Sequence, residues 1–267
     1  MGNSPNAQRR REIIAFAREH GQVQVTDLAA RLGVATETIR RDLTVLEQDG
    51  LVRRIHGAAY PLDGAGFEST LAYRSSHMVP EKRRIAAAVM ERIGEVQSVY
   101  IDEGYTPQLV AELLANSRRP LTVVTPSLPV AAALSAAEGI TIMLGGNVRG
   151  RTLGTVGHWV IEMLSALVVD LAIMGTNGIS PERGLTTPEP TISAIKRKVM
   201  DVSRRRLLVG VHVKFGVDSF ARFADVGEFD ALVTDRGLRS VDVNRTGSDG
   251  GSSYWIPARG WSVRFVA

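Results

Sequence analysis

The chain contains no cysteine among its 267 residues, which excludes disulfide bonds and thiolate metal sites and suits a reducing compartment. No apolar run approaches the roughly 20 residues that a membrane helix needs. The first residues are polar and then basic, without the apolar core of a signal peptide. These absences predict a soluble, cytoplasmic protein that has no membrane partner.

Histidine is also sparse, and its arrangement argues against a metal centre. The five histidines lie at positions 20, 56, 77, 158 and 212, without the spacing of metal ligands. We expect each to be a surface or structural residue. The sequence therefore predicts neither a metal site nor a cofactor.

Charge alone does not identify a nucleic-acid-binding half. The formal net charge is +4, and residues 1–60 hold nine arginines against seven acidic residues. This segment and the remainder each contribute +2. The local placement of the basic residues must therefore decide.

Residues 1–60 have the pattern of a winged helix-turn-helix domain. Apolar residues recur at helical spacing around Ile13, and a second helix begins at Thr26-Asp27. A third helix is predicted from about Thr36 to Asp49. A short strand at 51–55 and a turn at His56-Gly57 follow it.

The third helix is the candidate for reading DNA. Its polar face bears Arg41, and arginine on a helix in the major groove can pair with guanine. Two adjacent arginines on an isolated helix would more simply form a solvated face, but the basic hairpin that follows favours DNA. The candidate DNA contacts are Thr36, Glu37, Thr38, Arg40, Arg41, Thr44, Arg53, Arg54 and His56.

Beyond a predicted linker at 61–74, the sequence changes character. Apolar runs alternate with helical patterns throughout 75–238, which predicts an open, mostly parallel α/β domain. The runs are 99–101, 121–124, 140–144, 171–174, 207–211 and 231–233. Residues 239–267 are rich in glycine and serine and form an atypical tail, for which disorder is one interpretation.

Ligands of open α/β sheets bind beyond the carboxyl ends of the strands. Five predicted strand ends carry small, hydroxyl or charged residues. Thr106-Pro107 is interpreted as an N-cap followed by proline at the first helical position, which leaves backbone N–H groups for an anion. With Lys214 nearby, the convergence favours a phosphorylated ligand, although each residue alone is ordinary turn chemistry.

Several segments together resemble the DeoR family of bacterial transcriptional regulators. They are Val25–Ala29, Ala35–Leu43 with its T-I-R-R-D-L run, Leu46-Glu47, Gly50-Leu51, and Arg54–Ala58 with its H-G-A turn. The resemblance continues to Thr234-Asp235 and implies a sensor domain similar to ribose-phosphate isomerases and glucosamine-phosphate deaminases. It implies a DNA-binding regulator, most simply a repressor of a carbohydrate or related catabolic operon. Its expected partners are double-stranded operator DNA, a phosphorylated sugar or related effector, and further copies of the chain in a dimer or tetramer.

The resemblance also implies the effector site. The matching positions are Lys82, Asp102, Gly104, Thr106, Thr125, Ser127, Gly145, Gly146, Gly175, Gly178, Lys196 and Lys214.

The chain departs from the family at several positions. Ala35 stands where a capping serine is usual, which leaves Thr36 as the candidate cap of the third helix. In the sensor domain Tyr105, Pro126 and Val211 stand for the usual Thr, Asn and Asp. The tail after Leu238 lacks the expected final helix and strand pattern.

The alternative to a regulator is an isomerase or deaminase fused to a DNA-binding domain. Such isomerases carry catalytic carboxylates in an acidic loop, because aldose–ketose isomerisation needs a base. The corresponding stretch here, Met174–Gly178, has no carboxylate. Asp102, Glu103 and Glu189 remain as acids outside that loop. The sequence therefore predicts that the protein is not an enzyme and has no catalytic residues. A third class, an architectural DNA-binding protein without a ligand, is also disfavoured, because it would not need the large α/β domain.

Overall fold

The computed structural model describes residues 5–20, 23–55, 58–61, 68–237 and 262–266. The chain divides after Tyr73 into two compact units. An N-terminal helix-turn-helix and a C-terminal parallel α/β domain are present, so the predicted fold class is confirmed. His56, residues 62–67 of the predicted linker and most of the tail lie outside the described residues.

The N-terminal unit packs three helices against a small antiparallel sheet of order β1-β3-β2. Its elements are α1 Pro5–His20, β1 Val23–Gln24, α2 Val25–Leu32, α3 Thr36–Gln48, β2 Val52–Ile55 and β3 Ala58–Pro61. Ile39, Leu43 and Leu46 of α3 are buried in one core with Ile13 and Leu28, as their spacing predicts. Strand β1 is too short to have a recognisable pattern.

Helix α3 begins without a side-chain cap. Ala35 occupies the N-cap position, and Thr36 is already the first helical residue. The prediction that Thr36 caps the helix is therefore wrong. Glu37 in the first turn places a negative charge at the helix N-terminus, where its interaction with the helix dipole stabilises the helix.

Helix α4, Leu71–Ser76, was not predicted and begins inside the expected linker. The division between the two units falls within it, after Tyr73. Tyr73 packs against the N-terminal core, and its backbone N–H donates to Thr70 Oγ1 at 3.2 Å. The chain thus leaves the N-terminal unit as a helix.

The second unit contains a seven-stranded sheet of order β15-β14-β12-β9-β4-β5-β6, all of whose strand pairs are parallel. The sheet strands are β4 Ser98–Ile101, β5 Leu121–Thr125, β6 Gly139–Met143, β9 Val169–Gly175, β12 Ser203–Val209, β14 Ala231–Asp235 and β15 Ser262–Val266. The helices are α5 Val79–Met90, α6 Tyr105–Ala115, α7 Leu128–Ala133, α8 His158–Ser165 and α9 Pro190–Val202.

Helices cover both faces of this sheet, which explains its continuous apolar strands. Val99 and Ile101 point to the layer of α5, α6 and α7. Tyr100, between them, points to the opposite layer of α8 and α9. That layer also contains a small antiparallel sheet of β10 Gly178–Ser180, β11 Gly184–Thr187 and β13 Ala221–Ala224.

Strands β4 and β9 lie side by side at the centre of the sheet. From β4 the chain proceeds outward through β5 and β6, and then returns to β9 on the other side. The order therefore reverses between β4 and β9, and this is the position where open α/β sheets form a ligand crevice.

The tail differs from its expectation. It was expected to lack a final strand, but Ser262–Val266 forms β15 and pairs in parallel with Ala231–Asp235. Short strands outside the main sheet were also missed, namely the hairpin of β7 Asn147–Arg149 and β8 Gly154–Val156 and the small sheet. Runs this short carry no clear periodicity.

Candidate functional site

The exposed face of α3 carries the predicted arginines. Arg41 is 81% exposed and Arg40 is 60% exposed, and both lie beside Glu37. Glu37 Oε2 is 3.4 Å from Arg40 Nη1, and its Oε1 is 4.0 Å from Arg41 Nε. Pairs this exposed contribute little to stability, so the guanidinium groups can exchange Glu37 for a base edge or phosphate.

Asp42 fixes α3 against α1, a role that the sequence analysis missed. Its carboxylate is only 4% exposed and accepts hydrogen bonds from Arg9 Nε at 2.5 Å and Arg10 Nε at 2.9 Å. Asp42 lies at the margin of the apolar face of α3. An acid there, together with an Arg-Arg pair in the first helix, was the available signal.

Arg54 connects the wing to α3. Its Nε donates to Glu47 Oε2 at 3.0 Å, its backbone N–H donates to Glu47 Oε1 at 3.0 Å, and its Nη1 donates to Thr44 Oγ1 at 3.1 Å. Thr44 Oγ1 in turn donates to Arg40 O. Two predicted DNA contacts, Thr44 and Arg54, therefore take part in the hydrogen bonds that join α3 to β2.

The remaining predicted DNA contacts lie at the start of α3 or beyond what the structure describes. Thr36 and Thr38 are half-buried in the first turn. Arg53 lies in β2, but its side chain is outside the described part, as is His56.

Asp102 and Lys196 form a buried ion pair at the switch point of the sheet. Asp102 directly follows β4, and its Oδ2 accepts from Lys196 Nζ and from the backbone N–H of Gly175 at 2.9 Å. Lys196 Nζ also donates to Gly175 O at 3.0 Å. The structure thus brings together three predicted effector residues from β4, β9 and α9.

The Tyr100 hydroxyl lies on the other oxygen of Asp102, at 3.4 Å from Oδ1. Its burial, followed by the negative charges of Asp102 and Glu103, raises the pKa of Tyr100 well above its ordinary value. Tyr100 therefore stays a neutral donor that holds the Asp102 carboxylate in place.

Helix α6 begins at this crevice, two residues earlier than predicted. Gly104, with φ of 121°, is its N-cap, and Tyr105 is the first helical residue. Thr106-Pro107 is therefore not the cap pair that the sequence indicated. The first turn of α6 nevertheless presents the N–H groups of Tyr105 and Thr106, three and four residues after Asp102, and such first-turn N–H groups are the donors that an anion binds.

Thr125 and Ser127 have structural hydrogen bonds at the end of β5. Thr125 Oγ1 donates to Ile101 O at 2.7 Å and accepts from the N–H of Ser127 at 3.1 Å. Ser127 caps α7 by accepting from Val130 N–H at 3.4 Å.

The glycines after β6 permit close packing. A side chain at Gly146, whose φ is 148°, would lie 2.5 Å from Val156 O. Gly145 donates its N–H to the sulfur of Met163.

Lys82 and Lys214 take no part in the Asp102–Lys196 ion pair. Lys82 is buried in α5, and Nζ donates to Arg74 O at 2.5 Å and His77 O at 2.6 Å. Lys214 is half-buried in a 3₁₀ turn, His212–Lys214, shortly after β12.

His212 is held by Asp235 at the exits of β12 and β14. Its Nδ1 lies 2.6 Å from Asp235 Oδ2, and its backbone N–H donates to Oδ1 at 2.7 Å. Burial raises the pKa of Asp235, but the hydrogen bonds from His212 and from Gly237 N–H outweigh it and hold this pKa below its ordinary value.

A second ion cluster lies beside Asp102 and was not predicted. Glu103 accepts from Thr152 Oγ1 at 2.7 Å and from Arg149 Nη1 at 3.4 Å, while Arg149 Nη2 donates to Glu189 Oε1 at 2.5 Å. The cluster ties β4 to the β7–β8 hairpin and to the start of α9. Arg149 lies on a strand that sequence periodicity could not find.

Among the described residues, no group of three or more His, Asp or Glu side chains could hold a metal ion. In the same part of the chain, no helix is long and apolar enough to cross a membrane.

An exposed Arg-bearing helix on a winged helix-turn-helix, followed by a parallel α/β domain with polar residues at its switch point, defines a DNA-binding protein with an attached sensor-type domain. Family models agree with this class. The model of the DeoR-like helix-turn-helix domain matches residues 9–63, and that of the DeoR C terminal sensor domain matches residues 77–236. The chain therefore belongs to the DeoR family of transcriptional regulators.

Several curated relatives cover most of the chain. The HTH-type transcriptional regulator GlpR of Haloferax volcanii is 33% identical over 86% of this chain and 89% of its own length. The glycerol-3-phosphate regulon repressor of Escherichia coli is 33% identical, with coverages of 85% and 90%. The HTH-type transcriptional repressor GlcR of Bacillus subtilis is 33% identical, with coverages of 84% and 86%.

Among solved structures, ribose 5-phosphate isomerase A from Neisseria gonorrhoeae is 15% identical over 50% of this chain and 52% of its own, with a TM-score of 0.37. A likeness of this size carries no information on activity.

Proposed function

We propose that this chain is an effector-responsive repressor of a carbohydrate or related catabolic operon. Helix α3 reads the major groove of operator DNA, and a phosphorylated sugar or related metabolite binds at the carboxyl edge of the sheet and changes operator affinity. The observation that carries the DNA-binding part is the combination of a highly exposed Arg41 with the neighbouring Asp42, which is locked to α1. Arg41 can contact a base, and Asp42 holds helix α3 against α1.

The effector part of the proposal rests on the switch point. The first turn of α6 presents free N–H groups after Gly104, and Thr106 lies within that turn. The carboxylates of Asp102 and Glu103, which would repel a phosphate, are each paired with a cation, Lys196 and Arg149. We propose that the phosphate binds at the α6 N-terminus with Lys214 as its cationic partner.

The other predicted positions shape this site rather than bind the phosphate. These positions hold the loops at the strand ends through hydroxyl hydrogen bonds, through glycines that permit close packing, and through the buried ion pair. They are Asp102, Thr125, Ser127, Gly145, Gly146, Gly175 and Lys196. Lys82 is left out of the proposed site, because its ammonium is directed at two backbone carbonyl oxygens.

We further propose that the sensor unit has no isomerase or deaminase turnover. Asp102 is an acid at the switch point, but its oxygens already accept from Lys196, Gly175 and Tyr100. A general base must lie within hydrogen-bond reach of the substrate proton, and it typically contributes 10²–10⁴-fold to rate. The loop Met174–Gly178, where the isomerases carry their catalytic carboxylates, has none. Following pentose and hexose phosphates by NMR in the presence of the protein tests this: sustained multiple turnover would establish the enzyme alternative.

We also propose that the chain acts in the cytoplasm as a homodimer or tetramer. Helix-turn-helix proteins commonly bind paired half-sites as symmetric dimers, because the two recognition helices must meet successive major grooves. Analytical ultracentrifugation with and without operator DNA would measure the assembly.

The central experiment measures operator binding by fluorescence anisotropy, with DNA from upstream of the regulated genes and random DNA of equal length. We expect Arg41→Ala to weaken operator binding by about 1–3 kcal/mol and random DNA less. The control is Arg183→Ala, which removes the same charge from an exposed position of the sensor unit. Equal losses on both DNAs would show that Arg41 contacts only phosphate.

The effector arm uses the wild-type protein on its operator. Glycerol 3-phosphate, glucose 6-phosphate, fructose 1-phosphate and inorganic phosphate are added in turn. Release of the operator by one sugar phosphate, and not by inorganic phosphate or the unphosphorylated sugar, supports the proposal. If none of a wider set of phosphorylated metabolites changes operator affinity, the effector class is wrong.

A further inference from the structure

Lys82 lies where the chain enters the sensor unit, and its surroundings differ from those of an anion ligand. Its side chain is buried, and two of its three N–H donors are directed at the carbonyl oxygens of Arg74 and His77, at 2.5 and 2.6 Å. Arg74 lies in the last turn of α4, and His77 follows the end of this helix. The ammonium therefore serves the C-terminal end of α4.

The end of a helix leaves carbonyl groups without partners and carries a partial negative charge. A lysine ammonium that binds these carbonyls stabilises the last turn. This contribution matters for α4 because the helix has only six residues, Leu71–Ser76, and isolated helices of this length are unstable in water.

Lys82 also contacts the proposed effector site. Its Nζ lies 5.6 Å from the centre of the Tyr105 ring, within the range of a cation–π interaction. Tyr105 is the first residue of α6 and directly follows Gly104, at the proposed phosphate seat.

Burial, followed by the positive charge of Arg74, lowers the pKa of Lys82 to about 8, whereas Glu81 acts in the opposite direction. The ammonium is thus retained at neutral pH in surroundings that disfavour it. Its carbonyl and aromatic contacts are what compensate for the lost hydration.

We propose that Lys82 is a positioning residue that couples the effector site to α4: it holds the C-terminal end of this helix, and effector binding at the α6 N-terminus acts on it through Tyr105. This inference rests on the proposed function. The division between the two units falls inside α4, and Tyr73 of the same helix packs in the N-terminal core. A change in the order of α4 therefore reaches the DNA-binding unit through the chain itself.

The test uses the full-length protein and two pairs of variants. Lys82→Met keeps an unbranched side chain but removes the ammonium, and Arg83→Met removes the same charge from the next, exposed position of α5. Tyr105→Leu removes the aromatic face, whereas Tyr105→Phe retains it. The Tyr105 pair keeps the proposal falsifiable if Lys82→Met does not fold.

Two measurements distinguish coupling from ligand binding. The first is hydrogen exchange of the α4 amides without any effector, for which we expect Lys82→Met to be on the order of tenfold faster than wild type and Arg83→Met to be unchanged. The second is the ratio of operator affinities with and without the sugar phosphate that wild type responds to, for which allosteric couplings are typically about 5–150-fold. We expect this ratio to fall below about threefold in Lys82→Met and Tyr105→Leu, and to persist in Arg83→Met and Tyr105→Phe.

Calorimetry with the same sugar phosphate decides between the positioning role and a ligand role. Retained affinity with lost coupling supports positioning. An affinity loss of more than about tenfold with unchanged α4 exchange would make Lys82 an effector ligand and overturn the proposal. Retained coupling in Lys82→Met, or in Tyr105→Leu if the former does not fold, would also overturn it.

The two proposals fail in different ways. If wild type responds to no phosphorylated metabolite, the proposed effector class fails and the coupling role falls with it. The exchange measurement then still decides whether Lys82 holds α4. A normal wild-type response with full coupling in the variants refutes only the role of Lys82.

Discussion

The lock between Asp42 and the two arginines of α1 makes a quantitative prediction. Asp42→Asn preserves the shape of the side chain but removes its charge, and its NH₂ group must then face a guanidinium donor. Breaking a buried ion pair by removing one partner costs about 3–5 kcal/mol. Because the Arg9 and Arg10 side chains remain 16% and 33% exposed, water compensates in part, and we expect a loss of about 2–3 kcal/mol in the free energy of unfolding of the N-terminal unit.

The chain offers a way to measure this unit within the intact protein. Its three tryptophans lie at positions 159, 255 and 261, all outside the N-terminal unit. Tryptophan fluorescence therefore reports the sensor unit, whereas far-UV circular dichroism reports the helices of both. The free energy of unfolding of a small domain falls by about 1–3 kcal/mol per M urea. In Asp42→Asn, the circular-dichroism transition of the N-terminal unit, which has no counterpart in the fluorescence, should therefore move by roughly 1–2 M to lower urea. The midpoint of the fluorescence transition should not change.

The matched control is Glu37→Gln, which makes the same chemical change on the same helix at an exposed ion pair. Such pairs contribute about 0–1 kcal/mol. If Asp42→Asn costs no more than Glu37→Gln, then the buried double pair does not hold α1 against α3, and the argument that it orients the DNA-reading helix is wrong.

Three further changes test the wing, the phosphate seat and the β12–β14 edge. Glu47→Gln removes the carboxylate that holds Arg54. Because Arg54 is then available to a phosphate, the variant should bind operator and random DNA more tightly by a similar factor. A steeper salt dependence of binding in anisotropy titrations would identify the added phosphate contact. Lys214→Ala should abolish the response to the sugar phosphate while leaving operator affinity in its absence nearly intact; a mutant that still releases DNA at the normal concentration would exclude Lys214. Asp235 has a lowered pKa, so its contribution to stability is full above the ordinary value of 3.8 and is lost as pH falls through the lowered pKa. The difference in urea stability between wild type and Asp235→Asn, followed by tryptophan fluorescence, should therefore shrink between pH 6 and pH 3, and a constant difference would contradict the assignment.

The sequence determined the class of the protein because its signals are local. The helical spacing of Ile39, Leu43 and Leu46 places three apolar side chains on one face of a helix, whatever the rest of the chain does. The apolar strands alternating with helices likewise require a sheet that is buried on both faces. The candidate site was likewise predicted at the strand ends, because parallel strands bring their carboxyl ends to one edge of a sheet.

The tertiary structure alone decided which charged groups meet. Asp42 is separated from Arg9 and Arg10 by more than 30 positions, and Lys196 from Asp102 by more than 90, so no local pattern could pair them. The N-cap of α6 lies at Gly104 rather than at Thr106, because the positive φ of Gly104 ends the loop earlier than a threonine cap would. Lys82 was singled out from the sequence, but only the tertiary structure directs its ammonium to the end of α4. Its partners there are backbone carbonyl groups, which every residue has, so no sequence pattern could indicate them.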